Sequence, residues 1–352
     1  MKRPTRNTFF LISLLFLGGC REDPAPSTIS HTSLASGVNK KNEDSAPQVR
    51  MFREILHETV KKFLTETRHP GAVFRDLSCP PGSMKVDGEI FFTALPPLAF
   101  GSGTEVYQDL TQQLVIKVSD LDLRSLEQVW RDSAALQVIK NPKVVAKIIF
   151  PQEFPRTSQI CRLRTVVMQK AGEINLYEYR RSQGPLPKEM VSRIGVAAIN
   201  LLEAVHATGL VHGDVHGGNF VFFFRDPEST LRVIDFGRAR PFVHPETGAH
   251  VPILEMTESS WKPQHLSIGE LQGYTVSRRD DLFRLSELLV FLISHDDDVW
   301  KTPENEMVEF KLNRKFSWPQ VPSGFAQFYR ETIALQFHEK PDYNRFRYLI
   351  SK

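Results

Sequence analysis

The chain has 352 residues, of which 41% are apolar and 24% charged, an ordinary globular composition with length for two lobes or domains. Its formal charge is +3, and the whole excess lies in Lys2, Arg3 and Arg6; removing them leaves 44 − 3 = 41 basic against 41 acidic residues. A neutral body offers no electrostatic footprint for nucleic acid, and none is expected as a partner.

Those three cations precede an apolar run from Phe9 to Leu17 that only Ser13 interrupts. The run is too short to span a bilayer as a helix but suits the core of a signal peptide. It ends in Leu17-Gly18-Gly19-Cys20, which resembles a bacterial lipoprotein cleavage box with Cys20 as the lipidated residue. Residues 1–20 are therefore predicted to be a signal peptide. An exported protein is expected, anchored to a membrane surface through a lipid on Cys20 or secreted after ordinary cleavage. An uncleaved tail on a cytoplasmic protein is the alternative. Cys79 and Cys161 are too few for a disulfide framework; they either pair in an oxidising compartment or stand as unrelated thiols.

Residues 21–48 are rich in Ser, Pro, Asn and charge without apolar periodicity, which predicts a disordered linker. Phe52, Ile55, Leu56, Val60, Phe63 and Leu64 then recur at helical spacing. They define an N-terminal helical extension over 49–90, its helix stopped by His69-Pro70-Gly71. Residues 91–170 read as a small sheet with one long helix. Strand-like sequence runs from about 90 to 118, a helical pattern covers 122–139, and β-rich runs follow at 144–150 and 163–168. Residues 171–352 are mostly helical. Pro187 opens a helix with Met190, Ile194, Ala197, Leu201 and Val205 on its apolar face and Gly209 as its stop. Short β runs at 219–224 and 231–235 precede helical patterns at 279–294, 324–337 and 343–350. The fold class expected is α+β.

The chemistry concentrates in Val211-His212-Gly213-Asp214-Val215-His216-Gly217-Gly218-Asn219 and, sixteen residues after Asn219, Asp235-Phe236-Gly237. Phosphoryl transfer needs a carboxylate to orient or deprotonate the attacking hydroxyl, and oxygen ligands to hold Mg²⁺ on the phosphates. Asp214 fits the first role, and Asn219 and Asp235 the second, as metal ligands and cofactor-binding residues. Asp, Asn and Gly also cluster in loops for purely local reasons; it is the two motifs in order, each beside a β run, that point to catalysis. Upstream, Gly101-Ser102-Gly103 and Val106 precede Val115-Ile116-Lys117. Glycines there let backbone approach phosphate oxygens, and Lys117 would reach the non-transferred phosphates of ATP. Lys117 needs a carboxylate from the following helix. Glu127 and Asp132 are the candidates, and the spacing favours Asp132.

With these residues in place, the chain resembles eukaryotic-type protein kinases, and among them the casein-kinase-one and vaccinia-related-kinase group. Ser267-Ile268 followed by Ser277-Arg278-Arg279-Asp280-Asp281-Leu282, and Lys340-Pro341-Asp342-Tyr343, are similar to that group's conserved stretches. The resemblance covers roughly 95 to 350. It implies a two-lobed kinase fold, ATP with Mg²⁺ as cofactors, and Ser or Thr hydroxyls of a protein substrate as acceptors. It also implies Asp281 as a buried helix carboxylate bracing the catalytic loop. The sequence departs from the family at three places. The glycine loop lacks a third glycine. Gly213 replaces an arginine that binds phosphorylated activation loops, so such control is not expected. His216 stands where protein kinases carry a lysine and is similar to the loop of aminoglycoside phosphotransferases. A small-molecule kinase and a pseudokinase acting as a binding module are the competing readings.

Overall fold

A computed structural model describes residues 46–67, 83–86, 89–101, 103–120, 122–150, 165–224, 227–256, 263–294, 301–316 and 321–352. The segment 1–20, most of 21–48, the His69-Pro70-Gly71 stop, Ser102, Cys79 and Cys161 lie outside them. The first element is α1 (Ala46–Thr67), which begins inside the segment read as linker. It buries one stripe, Val49, Phe52, Leu56 and Val60, at the spacing of an amphipathic helix. Among the described residues no helix is long and apolar enough to cross a membrane.

The sheet starts at Ser83, within the 49–90 segment expected to be a helical extension. Strand β1 (Ser83–Val86) pairs antiparallel with β2 (Glu89–Gly101), with Val86 opposite Glu89. The connection is therefore two residues, Asp87-Gly88, a dipeptide that favours hairpin turns. β3 (Thr104–Asp109), β4 (Leu114–Ser119), β5 (Ile148–Phe150) and β6 (Thr165–Gln169) complete a six-stranded antiparallel sheet in the order β1-β2-β3-β4-β6-β5. The β2–β3 register shifts between Ala94 and Ala99, where Pro96 and Pro97 lack the N–H groups a ladder needs. Ile116, Val118 and Val167 form the buried face of the sheet. The long helix α2 (Leu123–Ile139) crosses it, opened by the Asp122 carboxylate, which accepts from the Arg124 and Ser125 amides at 3.1 Å.

After β7 (Ile174–Asn175) and α3 (Leu176–Gln183) the chain is mainly helical: α4 (Lys188–His206), α5 (Ile268–Leu271), α6 (Arg278–Ile293), α7 (Met307–Asn313), α8 (Ser323–Ala334) and α9 (Tyr343–Ser351). α4 packs on α6 and α9, and α6 packs on α8. Almost every α6 side chain from Asp280 to Leu292 is buried, so this helix is the axis of the helical part. Four two- or three-residue strands lie in sequence between α4 and α5: β8 (Leu210–Val211), β9 (Phe220–Phe222), β10 (Arg232–Val233) and β11 (Arg240–Pro241). The β9–β10 and β8–β11 pairs hold the ends of the two loops that carry the candidate chemistry. The result is an α+β protein, with a small antiparallel sheet followed by a helical body.

Candidate active site

Lys117 lies on β4 opposite Val106 of β3. It is buried, and its Nζ donates to Asp132 Oδ2 at 3.1 Å and to Asp235 Oδ1 at 2.7 Å. Burial alone would lower the Lys117 pKa, but the two carboxylates overcome it and hold it above the usual lysine value. The ammonium is therefore permanent. Asp132 is the α2 carboxylate that reaches it; Glu127 instead pairs with Arg131 one turn on, at 2.5 Å. The second oxygen of Asp132 accepts the Phe236 amide at 2.9 Å. One aspartate thus ties the lysine of the sheet to Asp235-Phe236-Gly237 of the helical part. Gly103 stands at the β2–β3 turn with φ +78, and a Cβ there would fall 1.8 Å from Ser125 Oγ. The turn is packed onto the start of α2, which only glycine permits. Gly101 ends β2, paired with Thr104.

Asp214 sits between β8 and β9 in a loop braced from below. Asp281 on α6, fully buried, accepts the His212 amide at 2.7 Å and the Gly213 amide at 2.9 Å. His206 Nε2 lies 2.9 Å from the same carboxylate, and Tyr343 Oη lies 2.7 Å from His206 Nδ1. Burial lowers the His206 pKa despite Asp281, so the ring is neutral. Its one proton is on Nε2, donated to Asp281, and Nδ1 accepts from the tyrosine hydroxyl. His212 is fixed in the same way: Nε2 donates to the Ile234 carbonyl at 3.0 Å and Nδ1 accepts the Asp214 amide at 3.2 Å. Gly213 has φ +73, and a Cβ there would lie 2.7 Å from the Arg238 carbonyl oxygen. Gly213 is thus a position where no side chain fits.

The Asp214 carboxylate is 13% exposed and surrounded by donors. Asn219 Nδ2 donates to the Asp214 carbonyl at 2.9 Å and lies 3.4 Å from Oδ2. His216 Nε2 is 3.6 Å from Oδ2, and Arg238 and Arg284 approach Oδ1 at 3.3 and 3.5 Å. Burial by itself would raise the Asp214 pKa; His216 first, then the two guanidinium groups, hold it well below the carboxylate range. Asp235 adopts φ +63, a left-handed conformation that Asp tolerates better than most residues. Burial would raise its carboxyl too, but Lys117 keeps it low and ionised.

Among the described residues no group of three or more His, Cys, Asp or Glu could hold a metal by itself. Asp235 and Asn219 still fit Mg²⁺, which keeps several waters and takes other ligands from phosphates. The Asn219 amide nitrogen is committed to the Asp214 carbonyl, which leaves its oxygen to serve as a ligand.

Beside Asp214 runs a cleft lined by Tyr177, His216, His265, Arg284, Glu287 and Phe291. Tyr177 stacks on the His216 ring with centroids 5.8 Å apart, and burial pushes its phenol up to about 12. His216 Nδ1 accepts the Gly218 amide at 3.1 Å, which turns Nε2 toward Asp214. The sequence reading gave no role to Tyr177, Arg238, Glu270 or Arg284. A charged residue directly after Asp-Phe-Gly was the available signal for Arg238; the other three come from elements far away in the chain.

No family model matches the chain. It is 28% identical over 255 residues to a probable serine/threonine-protein kinase of Dictyostelium discoideum, covering 70% of this chain and 49% of that protein. It is 30% identical to casein kinase I homolog 1 of Saccharomyces cerevisiae over 173 residues, 46% of this chain and 32% of the yeast protein. Casein kinase I homolog 2 of the same yeast is 27% identical over 172 residues, 46% of this chain and 31% of that protein. The chain thus spans less than half the length of these curated relatives. All three are kinases by name, the first a probable serine/threonine-protein kinase, and the similarity supports a protein kinase at this coarse level.

Proposed function

We propose that the chain is an ATP- and Mg²⁺-dependent phosphotransferase of two-lobed kinase architecture, a serine/threonine protein kinase that transfers the γ-phosphate to a protein hydroxyl. The observation that carries the reading is Lys117 held between Asp132 and Asp235, with Asp214 and Asn219 on the adjoining loop. Lys117 offers a fixed positive charge to the non-transferred phosphates, with Val106 and the Gly101–Gly103 turn beside it. Asp235 and Asn219 would hold the metal, which supplies charge neutralisation across the phosphates. Asp214 Oδ2 accepts the proton of the acceptor hydroxyl. The acceptor oxygen bonds to the γ-phosphorus, the bond from that phosphorus to the β–γ bridging oxygen breaks, and ADP leaves with those electrons. The casein-kinase-one-like subtype, export, and lipid anchoring through Cys20 are parts of the same proposal that rest on sequence alone.

His216 favours a second reading, a small-molecule kinase, because it stands 3.6 Å from Asp214 where a lysine is usual in protein kinases. Incorporation of labelled phosphate into casein, against a panel of small alcohols and amines, separates the two. Asp214→Asn should lower transfer by roughly 10²–10⁴ while ATP binding stays near the parent value. Near-normal turnover in that variant removes Asp214 from its role.

A further inference from the structure

The carboxylate proposed as the base is held from behind by residues that belong to neither of its motifs. Glu270, on the short helix α5, has a side chain with no solvent exposure. Its Oε1 accepts Arg238 Nη2 at 2.6 Å, and its Oε2 lies 2.9 Å from Arg284 Nη2. The other fork nitrogen of each arginine points at Asp214 Oδ1, at 3.3 and 3.5 Å. Arg284 Nη1 also donates to the Gly213 carbonyl at 3.1 Å. Two cations and two anions therefore form a closed ring, neutral in sum, with all four side chains largely buried.

The ring is anchored on three sides. Glu270 Oε2 accepts the Ser267 amide at 2.9 Å, and Ser267 Oγ accepts the Glu270 amide at 3.2 Å, a reciprocal cap. Ser267 Oγ donates to Asp280 Oδ1 at 2.7 Å, which fastens α5 to the first turn of α6. Arg284 rises from that same helix, and Arg238 follows Asp235-Phe236-Gly237 directly. The ring thus joins the metal loop, the Asp214 loop and α6. Within it Glu270 has a definite task. Without its charge, two guanidinium groups in a water-poor site would face Asp214 alone. The carboxylate would then be drawn onto them as an ion pair and become a poorer proton acceptor. Glu270 takes one nitrogen from each and leaves Oδ2, which His216 and Asn219 approach at 3.6 and 3.4 Å, to face the acceptor.

We propose that Glu270 is a positioning residue that shares Arg238 and Arg284 with Asp214, fixing the Oδ1 edge of that carboxylate while keeping its Oδ2 edge available for the acceptor hydroxyl. The inference rests on reading Asp214 as the base. The test uses the full chain. Glu270→Gln should lower kcat at least tenfold, with KM for ATP and Mg²⁺-dependent ATP binding within about twofold of the parent. Adding Arg238→Gln to that variant removes one surplus cation and should recover part of kcat. Arg238→Lys keeps the charge but cannot bridge both carboxylates, and should lose rate by an intermediate factor; it serves if Glu270→Gln does not fold. Parent-like kcat in Glu270→Gln and Arg238→Lys overturns the proposal. So does a loss that tracks ATP binding, or a double variant worse than the single one, since a purely structural role gives that pattern. If the parent phosphorylates no acceptor, the kinase reading fails separately, and amide exchange of residues 212–216 decides the inference. Faster exchange in Glu270→Gln that Arg238→Gln reverses upholds it, and unchanged exchange sinks it.

Discussion

His216 touches both Asp214 and the ring of Tyr177, so its charge state bears on the reacting edge of the site. A lysine at the same place keeps its positive charge to beyond pH 10. His216→Lys is therefore expected to retain or exceed parent protein-kinase activity at pH 8, and His216→Ala to lose activity at every pH. Rate profiles across neutral pH for the three proteins check this. A Lys variant as inactive as Ala, in a parent that phosphorylates a small alcohol or amine, moves the assignment to a small-molecule kinase. At this scale the sequence was informative where function is written as order and spacing: Asp214, Asn219 and Asp235 fall together, and Asp132 rather than Glu127 meets Lys117. It was silent on Glu270 and Arg284, because a glutamate and an arginine in helical sequence read as solvated surface. Their burial depends on contacts across 32 and 70 residues.

Among the elements, α1 bears on the site without touching it. Its Val49 joins Val211, Phe242, Val243 and Val276 in one buried cluster, and the helix also packs on α2. It therefore touches both the helix that carries Asp132 and the β8–β11 pair that flanks the Asp214 loop. Phe52 lies in the middle of the buried stripe, 1% exposed. Phe52→Ala should cost about 3–5 kcal/mol from lost burial and a residual cavity. The denaturant midpoint reads that loss, and phosphoryl transfer should fall with it as α2 loses its backing. A variant with parent stability would mean that the stripe is not packed in solution. The apolar spacing of α1 was legible, since a helix writes its buried face locally. What the face covers was not, because nothing in 46–67 says which distant strand completes the contact. The β1 strand was absorbed into the helical extension for a related reason. A four-residue strand carries too few alternations to announce itself.

Across the whole molecule, half-buried neutral histidines couple stability to pH. Burial depresses His250 to about 4, with Arg278 and His338 adding to it and the Val251 carbonyl opposing. Burial likewise depresses His265 to about 4, helped by His216 and Arg284. In the unfolded chain these rings take up protons near pH 6.5, while in the folded chain they resist until about pH 4. The unfolded state therefore binds more protons between those values, and stability is complete above pH 6.5 and lost as pH falls toward 4. Tm should decline through that window, and His250→Asn should make the decline shallower. Allowing for its partial exposure, the difference is about 1–2 kcal/mol at pH 4.5. Parallel pH profiles for parent and variant would count against a half-buried neutral His250. The α+β class and the division into a sheet followed by a helical body were legible from runs and periods. The way the body grips the Asp214 loop was not.

That grip reaches as far as α9. Tyr343, in the first turn of α9, orders His206; His206 orders Asp281; and Asp281 holds the two amides that present Asp214. A chain emerging from the ribosome in sequence order has Lys117 and the Asp235 loop long before it has this tyrosine. The full set of contacts that orders the Asp214 loop can form only after Tyr343 has been made. The order of synthesis thus separates the making of the loop from the making of its brace.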